Sequence, residues 1–327
     1  VNRRAALFAL SVTLTFGCSN QSAPPPAKPS QAAASRPPAS ETVAAGETLF
    51  ARGEYEAARR AFETAVAETP DDPRAWLDLG LTLEQAQEWV VAEQAYRRAV
   101  ELDENFAQAL NNLGVLIRER GDLREAQGFL ERAVAADPGL GHAHFNLALA
   151  YEDQGKLDEA EASYQRAIEL VPTDAISRIN LGLLYVERGR AEAAAKQLRL
   201  AAPLAQSDPA LSLAIGAGLR RLGHAAEAVS VLEHAKSLAG DPSPPQLSAE
   251  LALALWRLER LEEAERNMRD AISQAPQEPA FHYALGALLV DAGKLAEASE
   301  LLKRTIELDP DGHYAERARA RLEQLGP

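Results

Sequence analysis

A chain of 327 residues, 46% apolar, 25% charged and 6% aromatic, has enough apolar surface to fold but few of the large side chains of a single bulky core. Its 34 basic and 48 acidic residues leave a formal charge of −14, which repels phosphate backbones and excludes nucleic acid as the expected partner. One cysteine rules out an internal disulfide and a thiolate-based zinc or iron–sulfur site.

At the amino end, Arg3 and Arg4 precede the apolar run Ala5 to Phe16, which is too short to span a bilayer comfortably. This pattern predicts an export signal over residues 1–17. The run closes as Thr15-Phe16-Gly17-Cys18-Ser19, and Cys18 there resembles the lipidated cysteine of bacterial lipoprotein signals. Gly17 is the small residue that pattern needs before the cut, whereas Thr15 and Phe16 depart from the residues it prefers. The resemblance implies a lipid anchor on Cys18 and, through Ser19, an outer-membrane location facing the periplasm; a plain secretory signal beside an incidental thiol is the other reading. Residues 18–38 place Pro24, Pro25, Pro26, Pro29, Pro37 and Pro38 among Ala, Ser and Gln, a composition that predicts an extended tether.

From residue 39 the chain repeats. Units at 39–72, 73–106, 107–140, 141–174, 175–208 and 209–242 follow without a gap, and after residues 243 and 244 come 245–278 and 279–312. The twentieth position is alanine in every unit, from Ala58 and Ala92 to Ala298, and the eighth holds only Gly or Ala, as Gly46, Gly80 and Ala148. Such small side chains suit two closely crossing helices. A turn glycine stands at Gly53, Gly121, Gly155, Gly189, Gly223 and Gly293, with Gln87 and Glu259 as departures, and proline closes second helices at Pro70, Pro138, Pro172, Pro276 and Pro310.

This 34-residue pattern resembles the tetratricopeptide repeat. The resemblance implies an all-α fold, an α-solenoid of eight tetratricopeptide helix-turn-helix repeats forming a right-handed superhelix, with residues 313–327 as the capping helix. Residues 240–245, with Gly240, Pro242, Pro244 and Pro245, are the least regular stretch, where a bend is expected.

No catalytic constellation stands out. His142 and His144, two residues apart, face different sides of a helix, so no shared metal is expected, and no cofactor motif is present. The glycines belong to the repeat, and the chain reads as a non-enzyme.

In the tetratricopeptide family the groove is lined by positions 2, 5, 6, 9, 12 and 13 of each first helix. Position 6 is Asn112, Asn146 and Asn180 in three successive units, and an amide can pair both N–H and C=O of a peptide whatever its side chains. This resembles the asparagine ladder of the O-linked N-acetylglucosamine transferases, without their catalytic domain. Around it His142, Phe145, Val115, Leu149, Ile176, Ile179 and Leu183 suggest an apolar floor for an extended peptide of a protein partner. The alternatives are tolerated helix polar residues and apolar side chains packed inside the repeat. The family's basic clamp for a terminal carboxylate is not matched, since Leu77, Leu81, Asn111 and Val115 occupy its positions.

The expected function is a non-enzymatic scaffold of the bacterial cell envelope, attached to the membrane through Cys18. Alternatives are a pilotin-like assembly factor for a type IV pilus or secretion channel, or a regulatory subunit of an envelope peptidoglycan hydrolase or glycosyltransferase.

Overall fold

The computed structural model describes residues 40–325, so the export signal, the tether and Cys18 lie outside the described residues. The described residues form helices and no strands, in two compact units that divide between Thr173 and Asp174. The first unit holds α1 (Glu41–Ala51), α2 (Tyr55–Glu68), α3 (Pro73–Gln85), α4 (Trp89–Leu102), α5 (Ala107–Arg120), α6 (Leu123–Ala136), α7 (Gly141–Asp153) and α8 (Leu157–Leu170). The second holds α9 (Ala175–Glu187), α10 (Ala191–Ala201), α11 (Pro209–Arg221), α12 (Ala225–Ala239), α13 (Pro245–Arg257), α14 (Leu261–Gln274), α15 (Pro279–Asp291), α16 (Leu295–Leu308) and α17 (His313–Leu325). The fold is an α-solenoid type of paired, tetratricopeptide-like helices ending in an additional helix, α17.

The local sequence starts and stops these helices. Asp72 and Asp208 accept backbone N–H groups at the heads of α3 and α11, each followed by a proline at the first helical position, where its missing N–H loses nothing. The turn inside each pair needs a left-handed residue. Six glycines supply it, and Gln87 and Glu259 are forced into the same conformation at φ 60° and 61°.

Within a pair, the eighth-position glycine accommodates the bulky side chain at position 24. A Cβ on Gly80 would lie 2.5 Å from the Tyr96 ring, and one on Gly46 equally close to Phe62. The position-20 alanines are fully buried at the same crossings. The core of the first unit runs through Phe62, Tyr96, Phe106 and Leu113, and that of the second through Leu198, Leu232, Leu255 and Leu288.

Successive pairs are also latched by side chains at position 4. Trp76 Nε1 donates to the Pro70 carbonyl at 2.9 Å, and the Nε2 atoms of His144 and His282 reach the carbonyls of Pro138 and Pro276 at 3.2 and 2.9 Å. A carbonyl only accepts, so these imidazoles carry the proton on Nε2. On the second helices an arginine meets a glutamate 28 residues later, as Arg97–Glu125 at 2.8 Å and Arg199–Glu227 at 2.7 Å. Such exposed pairs contribute little individually, about 0–1 kcal/mol.

The irregular stretch in the second unit is held by a polar cluster. Lys236 Nζ donates to Ser248 Oγ, Asn267 Oδ1 and Asp270 Oδ2 at 2.8–3.0 Å, and Ser248 bonds Ser243 and Asp270 in turn. Ser243 and Ser248 are buried, which fixes the backbone between α12 and α13, where the Asp241–Pro242 peptide is cis.

Candidate functional site

First helices pack on first helices, α1 on α3 and α5 on α7 in the first unit, and α9 on α11 on α13 in the second. No comparable contact joins consecutive second helices, so the first-helix side is the more closely packed, inner side of each unit's curvature.

On that side of the first unit the amides form a connected network rather than a row of independent groups. Asn146 Nδ2 donates to Asn111 Oδ1 at 2.9 Å, and Asn111 Nδ2 donates to Asn112 Oδ1 at 3.0 Å. On the neighbouring helices the Tyr96 hydroxyl donates to Glu84 Oε2. Three amides thereby link α7 to α5 in one chain, and the phenol ties α4 to α3. Hydrogen bonds in such a chain polarise one another. Burial pushes the Glu84 carboxyl above its usual range; the Tyr96 bond pulls it back, and the Glu119 charge raises it again. The phenol of Tyr96 is held well above its ordinary value by burial and by the Glu84 charge.

The amide network is a departure from the expected ladder. Asn111, at position 5, is buried at 3% exposure and takes the Asn146 bond. Asn112 is half-buried and its carbonyl takes the Asn111 bond, whereas Asn146, at 9% exposure, keeps both an N–H and its carbonyl for another group. In the second unit Asn180 Nδ2 donates to the Ile176 carbonyl of its own helix at 3.0 Å.

Val115, His142, Phe145 and Leu149 are half-buried on α5 and α7, with the Phe145 ring 5.9 Å from that of Tyr164. Burial lowers the affinity of His142 for a proton. Ile176 and Leu183 are half-buried on α9, but Ile179 is 1% exposed and packs within the hydrophobic core, leaving no surface for a partner. Leu77, Asn111, Leu213, Ala249 and Tyr283, also at position 5, are buried like it, whereas Phe145 at the same position is half-buried.

Tyr96 and Tyr164 fill the core beside the small position-8 residues, but they also carry polar tips. Their rings are buried, yet each hydroxyl reaches a glutamate on the first helix, Tyr164 donating to Glu152 Oε2 at 2.6 Å. The signal was a Glu at position 12 followed twelve residues later by Tyr, in the second and fourth units alone. Arg118, at position 12 of the intervening unit, pairs with Asp153 at 3.0 Å.

Helix pairs that repeat this way and present a mixed polar and apolar inner side define a helical-repeat scaffold. Tetratricopeptide repeat profiles match residues 43–105, 91–141, 111–175, 145–209, 213–279 and 259–322, and the chain belongs to the tetratricopeptide repeat family. Its described residues form the helical-repeat scaffold of that family. No group of three or more His, Cys, Asp or Glu among the described residues could hold a metal ion.

Among solved structures, the Cut9–Hcn1 hetero-tetramer of the APC/C is similar at 17% identity and TM-score 0.59, over 88% of this chain and 55% of that one. Yeast Tom70 is similar at 17% identity and TM-score 0.50, over 83% of this chain and 58% of that one. MamA 41-end from Desulfovibrio magneticus RS-1 is 22% identical, with TM-score 0.46, over 52% of this chain and 99% of that one. This chain thus spans little more than half the length of the Cut9–Hcn1 and Tom70 chains, and the likeness is one of fold. No curated protein matches the sequence.

Proposed function

We propose that this protein is an exported, lipid-anchored scaffold of the bacterial cell envelope that holds an extended segment of another envelope protein on its first-helix side. The observation that carries the binding reading is Asn146, which offers an unused donor and an unused acceptor beside Val115, Leu149 and Phe145, on a scaffold of a protein-binding family. A peptide backbone needs that combination of one donor, one acceptor and apolar surroundings. Each such bond contributes about 1 kcal/mol, so several positions must act together. The lipid anchor rests on Cys18 after Gly17, and the outer-membrane, periplasm-facing location on Ser19.

The test is affinity capture from the native envelope by the wild type beside the Asn112→Ala/Asn146→Ala/Asn180→Ala variant, after matched thermal melts. A protein held by the wild type and lost by the variant supports the groove reading and identifies the complex served, whether a pilus, a secretion channel or a cell-wall enzyme. Equal capture by both overturns it. The anchor is tested separately: Cys18→Ser should move the protein from the membrane to the soluble fraction, and unchanged detergent-dependent retention removes the lipid anchor from the proposal.

A further inference from the structure

The inner side of the first unit is charged as well as amide-lined. The arginines at repeat positions 2 and 12 are neutralised in place, Arg74 by Asp72 at 3.3 Å and Arg118 by Asp153 at 3.0 Å. Among the carboxylates on the same helices, Glu47 on α1, Asp78 on α3 and Glu119 on α5 have no hydrogen bond or ion pair among the described residues. Asp78 occupies the position that asparagine takes in the next two units. Its side chain is half-buried on the first-helix side, and its carboxylate oxygens stay within reach of a ligand.

A carboxylate so placed is poorly solvated, and the neighbouring Glu47 and Asp72 make it worse. Burial is the main cause of its shift, the Glu47 and Asp72 charges add to it, and Arg74 only partly opposes them, so its pKa is pushed up to about 7. No cation of the described fold pairs with it. A ligand that brought one would relieve both the burial and the repulsion.

Resting on the peptide-binding reading above, we infer that the segment held by residues 40–173 is basic, and that Asp78 receives a lysine ammonium or arginine guanidinium, with Glu47 beside it. The amide of Asn146 would hold the backbone of such a segment while the carboxylates select its side chains. Complementary charge of this kind governs specificity and association rate.

The experiment measures fluorescence anisotropy of the full chain with labelled alternating Ala-Lys, Ala-Gln and Ala-Glu peptides. The expected order is Ala-Lys tightest, by about tenfold or more over Ala-Gln, and Ala-Glu weakest. Asp78→Asn, nearly isosteric, should weaken Ala-Lys binding by about tenfold and leave Ala-Gln unchanged. Glu47→Gln, at an exposed site that folding does not depend on, should give a smaller loss in the same direction. Glu63→Gln/Glu101→Gln, on exposed second-helix positions, should give none; an equal loss there means diffuse attraction to an acidic surface and overturns the inference. Equal binding of Ala-Lys and Ala-Gln, both lost in Asn112→Ala/Asn146→Ala, also overturns it while leaving the peptide-binding reading intact. Silence from all three peptides counts against the peptide-binding reading itself.

Discussion

Arg220 on α11 and Glu250 on α13 meet in a two-point ion pair, 2.6 and 3.2 Å long, with side chains only 2% and 3% exposed. Glu250 stands at the sixth position, where the central units carry asparagine, so one repeat position serves a half-buried amide in one unit and a sealed charge in another. Removing either partner strands the other charge. Glu250→Ala or Arg220→Ala should therefore destabilise the fold by about 3–5 kcal/mol, whereas Arg220→Met/Glu250→Leu should come out near the wild type. Chemical denaturation checks this, and a single variant as stable as the double variant would show that the pair is not the strained element described.

The two turns without glycine make a second test. Gln87→Gly and Glu259→Gly place the residue type that reaches φ near 60° at no steric cost, against some loss of chain entropy. Each should stabilise the protein by about 0.5–1 kcal/mol. Gly121→Ala, at φ 98°, should do the opposite, and thermal melts that rank the three in any other order contradict the backbone argument.

Glycines inside helices separate into two kinds. Gly80→Ala would push a methyl to 2.5 Å from the Tyr96 ring and should cost about 1–3 kcal/mol, while Gly128→Ala meets nothing within 4 Å and should stabilise α6 by about 0.5–1 kcal/mol. By the same packing, Ala126→Leu, at a fully buried crossing, should cost about 1–3 kcal/mol. Unfolding midpoints that fail to distinguish Gly80→Ala from Gly128→Ala would remove the close approach from the account.

Asp78 makes stability depend on pH in a definite direction. Its pKa is raised, to about 7 from 3.8, so the folded state binds the proton more tightly than the unfolded chain. The resulting stabilisation is complete below about pH 4 and is lost as pH rises through about 7. Asp78→Asn should flatten that part of the stability profile and be the more stable protein at pH 8, by about 1 kcal/mol or more. Parallel profiles for the two proteins between pH 4 and 8 would refute the shift.

The repeated contacts were legible because periodicity imposes the same steric demand on every unit. Ala126 had to be small whether or not its neighbours were known, and Gln87 had to strain because no glycine replaced it. The site was less legible. Positions 5 and 6 are adjacent in sequence, but a rotation of the helix decides which of them turns inward. Asn111, which periodicity left out of the ladder, therefore took the bond to Asn146, and Ile179 went into the core. The tyrosines were legible as bulk; that Tyr96 crosses Gly80 and puts its hydroxyl beside Glu84 depends on the depth of the helix crossing, which composition does not encode.

The position-4 latches move the natural boundary of the repeat. A unit cut at its first residue, such as 141–174, takes with it His144, the side chain that closes the preceding unit's Pro138 carbonyl. The transferable module is the one cut after position 4, so that each exchanged segment keeps the carbonyl and the donor that covers it. Chimeras joined there retain Trp76 with Pro70, His144 with Pro138 and His282 with Pro276, whereas joins at the drawn 34-residue boundary depend on the incoming unit to carry a suitable donor.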